Sequence, residues 1–256
     1  MRSGSQVCCG MAAQMVFCIQ SGALDRAFPM TAQLVKLQSA PDLVDQVYRA
    51  LLDAISEGSL APGARITQED LAKKLAVSRQ PVLQALRLLK KDGFVMDAPG
   101  RGVQVAPLDA ELTLKVYQVR GALDALAARL AAQRHFVIAP KLIEQGRRAS
   151  RGRNIQAMID ADLAFHAAIY VASGNPLIEQ SAHLHWAHLR RVMGAVLQSS
   201  RQREAVWDEH EDIANAIATG DAELAVQLID QHSQQAGETL AARLSTVLKL
   251  SEGDHR

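Results

Sequence analysis

Residues 67–95 read TQEDLAKKLAVSRQPVLQALRLLKKDGFV, a stretch that predicts two short helices joined by a tight turn. Thr67 is followed three residues later by Asp70, which makes a capping-box-like start for the first helix. Ser78 is a suitable N-cap for the second helix, and Pro81 is tolerated in its first turn because an N–H there has no intrahelical partner. This arrangement is the helix-turn-helix pattern.

The second helix has one apolar and one polar face. Val82, Leu86 and Leu89 recur at i, i+4 and i+7 on the apolar side. The opposite side carries arginine and glutamine, the side chains that make paired hydrogen bonds to guanine and adenine in the major groove. We therefore predict that this helix reads double-stranded DNA. The alternative is a solvated helix pair in an ordinary helical domain.

The flanks of this stretch predict a complete DNA-binding module. A helical stripe from Leu43 to Ile55 precedes it, and two short β-like runs, 93–96 and 102–105, follow it. A hairpin there would place Arg101 near its tip, within reach of phosphate or the minor groove. The predicted DNA-contacting residues are Arg65, Thr67, Ser78, Arg79, Gln80, Gln84, Arg87 and Arg101.

The run ISEGSLAPGARITQEDLAKKLAVSRQPVLQALRLLKKDGFV, followed by GRGVQVAPLD, resembles the winged helix-turn-helix of the GntR family of bacterial transcription regulators. The resemblance covers about 65 residues, and the combined spacing of its parts is more specific than a lone helix-turn-helix. One position departs from the family pattern. Leu83-Gln84 stands where the family commonly has Arg-Glu, so the operator preference of this chain is expected to differ.

Composition and charge agree with this interpretation. The chain has 256 residues, long enough for two modest cores, and 48% of them are hydrophobic but only 4% aromatic, which suits packed helices. The net charge is +1, yet residues 65–102 contain eight Lys or Arg against four Asp or Glu. Positive charge is thus concentrated where DNA phosphates would lie.

The first 40 residues differ from the rest. All three cysteines, Cys8, Cys9 and Cys18, lie there. No disulfide can therefore cross-link the rest of the chain, which fits a cytoplasmic protein. The apolar run 7–19 is too short for a membrane span, and we expect no membrane partner. We interpret residues 1–40 as a poorly ordered extension, with Met30 as a possible initiator.

From Asp109 onward the sequence predicts helices and almost no strands. Stripes broken by Gly, Pro and Asn give six helices, at about 109–133, 140–149, 155–172, 177–198, 203–219 and 221–250. In the first of them Val116, Val119, Leu123, Leu126 and Leu130 are predicted to face inward. The fold class is therefore mostly α. It comprises a winged helix-turn-helix with a small β-hairpin wing (41–107), an all-α six-helix bundle (108–250) and a tail (251–256).

Polar side chains occupy core positions of three of these helices. Asp162 and His166 fall within the apolar stripe of the third helix, His210 within that of the fifth and His232 within that of the sixth. One carboxylate and three imidazoles brought together in a bundle form a natural site for a divalent transition metal, Zn²⁺, Ni²⁺ or Mn²⁺. The alternative is that each histidine is a hydrogen-bonded core residue.

The segments DLAFHAAIYVASGNPLI and EHEDIANAI, together with His232, resemble the FCD effector domain of the FadR subfamily, in its shorter, VanR-like form. The resemblance implies a usually dimeric sensory domain, with Asp162, His166, His210 and His232 as metal ligands and a small carboxylate as effector. It also implies Arg120 as an effector-binding residue, although a salt bridge with Asp124 is an equally good interpretation. We name Asn175 as a further effector contact, with turn formation as its alternative.

Other polar and aromatic residues receive plainer interpretations. His183, His185 and His188 cannot converge as one chelate and are expected to line a surface or groove, while Trp186 and Trp207 are expected to anchor packing. The whole chain is predicted to be a cytoplasmic, homodimeric repressor on a palindromic operator, released by a carboxylate. Two alternatives remain: a metal-dependent hydrolase or lyase using the Asp-His-His-His site, and a regulator that senses the metal itself.

Overall fold

The structure, a computed structural model, describes residues 43–100, 102–197 and 204–253. In these residues the elements are α1 (Leu43–Ser56), β1 (Arg65–Ile66), α2 (Gln68–Lys74), α3 (Arg79–Lys91), β2 (Val95–Asp97), β3 (Val103–Val105), α4 (Ala110–Ala132), α5 (Pro140–Arg151), α6 (Ile155–Ser173), α7 (Pro176–Val196), α8 (Ala205–Thr219) and α9 (Ala222–Gly253). The predicted fold class is confirmed. The predicted extension 1–40, Arg101 and the end of the tail lie outside the described residues.

The helix-turn-helix forms as its local signals predict. Thr67 caps α2: its hydroxyl accepts a hydrogen bond from the Asp70 N–H at 3.1 Å and donates one to the Asp70 carboxylate at 2.7 Å. Ser78 occupies the N-cap position of α3 but makes no side-chain capping bond. Val82 and Leu89 are fully buried against α1, so the apolar face of α3 packs inward and its polar face is left to solvent.

The wing is a three-stranded antiparallel sheet in the order β1-β3-β2, one strand more than the sequence predicted. The added strand β1 pairs Ile66 with Val103. Two residues are too few to show the alternation that marks a strand, so no pattern could reveal it. Arg65 of β1 donates a hydrogen bond to the Pro99 carbonyl at 3.1 Å, which ties the two sides of the wing together.

The six predicted helices of the C-terminal half are α4 to α9. Asp109 caps α4 by accepting hydrogen bonds from two backbone N–H groups, and α8 ends at Gly220, whose φ of 81° is easily adopted by glycine. Gly146 of α5 lies against the Trp207 ring so closely that a Cβ there would overlap the indole. This glycine therefore allows α5 and α8 to approach one another.

The predicted inward face of α4 was wrong in part. Val119 is 51% exposed and Leu126 42% exposed, whereas Ala127 and Ala128 are fully buried. The buried side of α4 consists mainly of small residues and the ion pair of Arg120 with Asp124, because α9 packs closely along it. The larger aliphatic side chains are thus displaced to the opposite side.

Helix α6 is long and apolar enough, by length and composition, to cross a membrane. In the described residues it is the one helix with that property. Here it lies within the bundle, where Phe165, His166 and Ile169 are fully buried.

Candidate functional site

The polar face of α3 is exposed to solvent. Gln80, Gln84 and Arg87 are all exposed, and Arg79 forms an ion pair with Glu69 of α2 at 3.2 Å while both side chains stay largely exposed. Leu83 is half-buried and therefore presents only part of its surface beside them. The exposed amide and guanidinium groups are free of the core and face the side on which a DNA groove would be met.

The remaining predicted DNA contacts surround this face. Thr67 and Ser78 lie at the N-termini of α2 and α3 and are exposed, as is Arg65 on β1. Helix N-termini are favourable places for phosphate because their N–H groups point outward. The structure thus places seven of the eight predicted residues at the surface of one module, and the eighth, Arg101, is outside the described residues.

In the bundle, the structure brings together the four predicted metal ligands from α6, α8 and α9. One ligand atom from each of Asp162, His166, His210 and His232 lies within 4.8 Å of the others. The Nε2 atoms of His210 and His232 are 3.3 Å apart, and His210 Nε2 is 3.5 Å from Asp162 Oδ1. Three imidazoles and one carboxylate around one point make a donor set suited to a divalent transition metal.

Two histidines of this cluster are held in the neutral form that a metal ligand requires. Burial lowers the pKa of His166 and His210 well below the usual value, and nearby positive charge lowers the pKa of both further, so both rings are neutral and able to ligate. Within the described residues, neither ring nitrogen of His166 nor Nδ1 of His210 has a hydrogen-bond partner. Buried polar atoms normally have partners, so an unsatisfied nitrogen of His166 fits a metal-binding site, whereas the ring of His210 meets the cluster through Nε2.

A residue to which the sequence analysis assigns no role supports the cluster from outside. The carboxylate of Glu209 lies 2.7 Å from His232 Nδ1, and the Glu209 side chain is 41% exposed. A carboxylate accepting the Nδ1 proton leaves the lone pair of Nε2 directed at the cluster. Its spacing to His232, 23 residues away on another helix, gave no signal in the sequence.

Arg120 forms the salt bridge with Asp124 that was the alternative to an effector contact. Its Nε lies 3.1 Å from Asp124 Oδ2, an ion pair in which both side chains are buried, although the angle gives no hydrogen bond. Burial acts to lower the pKa of Arg120, but Asp124 and, to a smaller extent, Tyr117, Tyr170 and Asp162 together outweigh burial, so the pKa is raised. Tyr170 donates a hydrogen bond of 2.5 Å to the same carboxylate.

Arg120 also lines a cavity of about 420 Å³. Asp162 and His232 line the same cavity, so the Asp-His cluster opens onto it. Tyr117 lies against the guanidinium, with 4.7 Å between the Arg120 Cζ and the ring centroid. A carboxylate entering here would meet the cluster and Arg120 together.

Asn175 does not belong to this cavity. Its Oδ1 accepts a hydrogen bond of 3.1 Å from the Leu177 N–H, so the side chain caps α7. Its own N–H donates to the Ser173 hydroxyl. The prediction of an effector contact is corrected accordingly, because the turn before Pro176 uses the amide oxygen for capping.

Helix α7 joins the cavity to the DNA-binding module. Trp186 donates from its indole N–H to the Tyr170 hydroxyl at 3.1 Å, and its ring lies under Arg120, 4.5 Å from Cζ to centroid. Two residues on, His188 stacks on Phe94 with ring centroids 4.0 Å apart, and its Nε2 is 3.1 Å from the carbonyl oxygen of Asp92 at the end of α3. His188 thus lines an interface rather than an open surface.

Further contacts fix α7 against the same module. Ala187 is part of the core of the helix-turn-helix, and Arg191 donates a hydrogen bond to the Ala106 carbonyl after β3. Burial lowers the pKa of Arg191 to about 10. Helix α7 therefore contacts both the residues around the cavity and the C-terminal end of α3.

Comparison with known proteins gives matches for both halves of the chain. Residues 43–105 match the model of the bacterial regulatory proteins of the gntR family, and residues 115–235 match that of the FCD domain. The HTH-type transcriptional regulator YdhC of Bacillus subtilis (strain 168) is 29% identical over 196 residues, which is 73% of this chain and 86% of YdhC. The HTH-type transcriptional repressor RspR of Escherichia coli (strain K12) is 24% identical over 199 residues, 76% of this chain and 87% of RspR.

Among solved structures, E. coli McbR/YncC has the same fold. It superposes with a TM-score of 0.65 at 22% sequence identity, covering 80% of this chain and 98% of the other. The relatives are transcription regulators and not enzymes, so the hydrolase or lyase alternative is set aside. The chain belongs to the GntR family of bacterial transcription regulators and carries an FCD domain in its C-terminal half.

Proposed function

We propose that this regulator is a repressor whose affinity for a palindromic operator is controlled by a small carboxylate, bound at a divalent metal held by Asp162, His166, His210 and His232. The observation that carries the proposal is the convergence of those four ligand atoms within 4.8 Å, beside a cavity that also holds Arg120. The E. coli relative named a repressor supports the direction of control. The protein would act in the cytoplasm, on DNA and not on a membrane.

DNA binding and effector binding are assigned to the two segments that match family models. Residues 41–107 would bind DNA through Arg65, Thr67, Ser78, Arg79, Gln80, Gln84, Arg87 and Arg101, and residues 108–250 would bind metal and effector. Residues 1–40 and 251–256 would contribute to neither function. Exposed Gln84 and Arg87 on α3 would meet base edges, and Thr67 and Ser78 would meet phosphates.

A homodimer is supported by α4. Leu112, Val119 and Leu126 are spaced by seven residues and are 40%, 51% and 42% exposed, so they form an apolar stripe along one side of the helix. A second copy of the chain would cover this stripe through the same residues, because a two-fold interface is self-complementary. Such a dimer would present two α3 helices to successive major grooves.

A bound Zn²⁺, Ni²⁺ or Mn²⁺ would supply positive charge at which a carboxylate is coordinated. The chain's own residues would orient the metal ligands and position the acid. Glu209 orients His232, Arg120 faces the incoming carboxylate, and Asp124 and Tyr170 hold Arg120 in place. The metal-site residues therefore fix where the acid binds, and movement of α7 transmits the effect of acid binding to α3.

Control would follow from differential binding. An acid changes operator affinity only as far as it favours one arrangement of the two halves over the other. Trp186 beside Arg120 and His188 beside Asp92 are two residues apart on α7, so movement of α7 at the cavity would move the end of α3. We place the switch at this helix.

The test measures metal content and oligomeric state together with DNA binding. Elemental analysis and native mass spectrometry of gently purified protein would report metal and oligomer, and fluorescence anisotropy on operator DNA would report release by acids. We expect His210→Ala to lose the metal and the acid response while metal-free protein still binds DNA. His183→Ala, which alters an exposed histidine of α7, is the matched control and should change neither.

Two results would contradict the proposal. If no acid alters operator affinity at any metal loading, the carboxylate switch is wrong. If metal removal by itself abolishes DNA binding and acids have no effect, the metal itself is the signal.

A further inference from the structure

One wall of the cavity is a continuous stripe of α9. His232, Ala236, Leu240 and Arg243 all line it, together with Gln235 and Thr239. Eleven residues separate His232 from Arg243, and at 100° per residue the two project from the same side of the helix. At 1.5 Å per residue they are about 16 Å apart along the axis.

The lining of the cavity changes along its length. At the end marked by His232 lie Asp162 of α6 and Arg120 of α4. The remaining lining is uncharged apart from Glu209 and Arg243, and it combines methionine and aliphatic side chains, including Met158, Met193 and Leu240, with the polar Gln235 and Thr239 of α9. A ligand that fills the cavity would therefore combine a charged end with an uncharged, largely apolar middle.

The far end carries an arginine without a counter-charge. Arg243 is half-buried, and in the part of the chain that the structure describes it makes no ion pair or hydrogen bond. The other arginine of the cavity, Arg120, is matched by Asp124, and the carboxylate of Glu209 is engaged by His232. Apart from the predicted metal ligand Asp162, the charged group of the cavity left unpaired among the described residues is the guanidinium of Arg243, a group that pairs readily with carboxylate.

We propose that the effector is an elongated diacid. One carboxylate occupies the end with the metal cluster and Arg120, the hydrocarbon part lies between Met158, Met193 and Leu240, and the second carboxylate pairs with Arg243. This inference rests on the function proposed above and adds a second anionic subsite to it. Arg243 is then the residue that distinguishes diacids from monoacids.

Isothermal titration calorimetry on the purified, metal-containing protein tests this. The ligands are the α,ω-dicarboxylates from succinate to sebacate and the unbranched monocarboxylates of the same carbon numbers. We expect affinity to rise along the diacid series until the chain spans the cavity, with the best diacid binding about tenfold or more tightly than its monoacid, as one charged hydrogen-bonded pair contributes.

Arg243→Gln should weaken the best diacid about tenfold and leave the monoacid within about twofold. Arg243→Lys, which keeps the charge, should recover part of the loss. Lys249→Gln removes an exposed cation from the same helix away from the cavity and should change neither affinity. Thermal unfolding of each variant reports whether the fold is retained.

The outcomes separate this inference from the proposed function. If diacids and monoacids bind equally and Arg243→Gln changes nothing, the second subsite is refuted while the carboxylate switch stands. If Arg243→Gln weakens both classes equally at unchanged melting temperature, Arg243 shapes the cavity and the subsite is also refuted. If no acid of either series binds, both proposals fail.

Discussion

The buried pair of Arg120 and Asp124 gives the sharpest test of how the bundle is held together. Asp124 Oδ2 lies 3.1 Å from Arg120 Nε, and the two side chains are 0% and 1% exposed, respectively. Asp124→Asn keeps the shape and removes the charge, so Arg120 is left buried without its counter-ion. Breaking a buried pair in this way costs about 3–5 kcal/mol of the free energy of unfolding.

The assay is urea unfolding at one fixed protein concentration, because a dimer's apparent stability depends on concentration. For a chain of this size, the expected loss corresponds to a melting temperature lower by roughly 6–20 °C. Asp160→Asn is the matched control. Asp160 also pairs with an arginine, Arg190, at 2.6 Å, but its side chain is 51% exposed, so its loss should cost under about 1 kcal/mol.

A double-mutant cycle checks whether loss of the ion pair causes the lost stability. Arg120→Met removes the stranded charge, so the double variant should lose less stability than the sum of the two single variants, by about 0.5–3 kcal/mol. Additive losses would show that the ion pair is not what Asp124→Asn disrupts. A loss below about 1 kcal/mol for Asp124→Asn would refute the reasoning outright.

Three further predictions follow from other contacts. Val119→Glu with Leu126→Glu should convert the dimer to monomer in size-exclusion chromatography with light scattering, because charges would be buried in the apolar stripe of α4, whereas Val171→Glu, at an exposed position of α6, should not. Because Arg87 is proposed to meet a base edge, Arg87→Ala should cost about 1–3 kcal/mol of operator binding and relax base preference, as anisotropy titrations on operator variants would show; an equal loss at all sequences would contradict base contact. Burial lowers the pKa of His188, so the folded state binds fewer protons than the unfolded state below the ordinary value of 6.5; stability should therefore fall as pH drops below 6.5, and more steeply than in His188→Gln, as thermal unfolding from pH 7.5 to 5 would record.

Much of the fold was predictable because its signals are local. The capping of α2 by Thr67, the apolar stripe of α3 and the glycine after α8 each lie within a few residues of sequence. The four predicted metal ligands could be found because each replaced an apolar residue in a helical stripe, which is a departure visible in sequence. Their convergence depends on how α6, α8 and α9 pack, which a helical pattern does not show. It could be expected only because the segments resemble an FCD domain.

What escaped prediction depended on distant partners. Val119 and Leu126 continue a helical apolar pattern, and only the close packing of α9 on the small residues of α4 turned them outward. Glu209 and His188 act through residues 23 and 96 positions away, and such separations leave no periodic trace. Asn175 had two equally local interpretations, and the capping bond to Leu177 decided between them.

The second half of α7 bears on how this protein could be divided. From Leu184 to Leu197 every residue is buried or half-buried, in part against residues of the winged module. A fragment beginning near residue 108 would uncover Leu184, Ala187 and His188 and would be expected to aggregate or recruit a substitute surface. The boundary between the two matched segments lies inside one compact unit, so we expect neither segment to be stable when cut there.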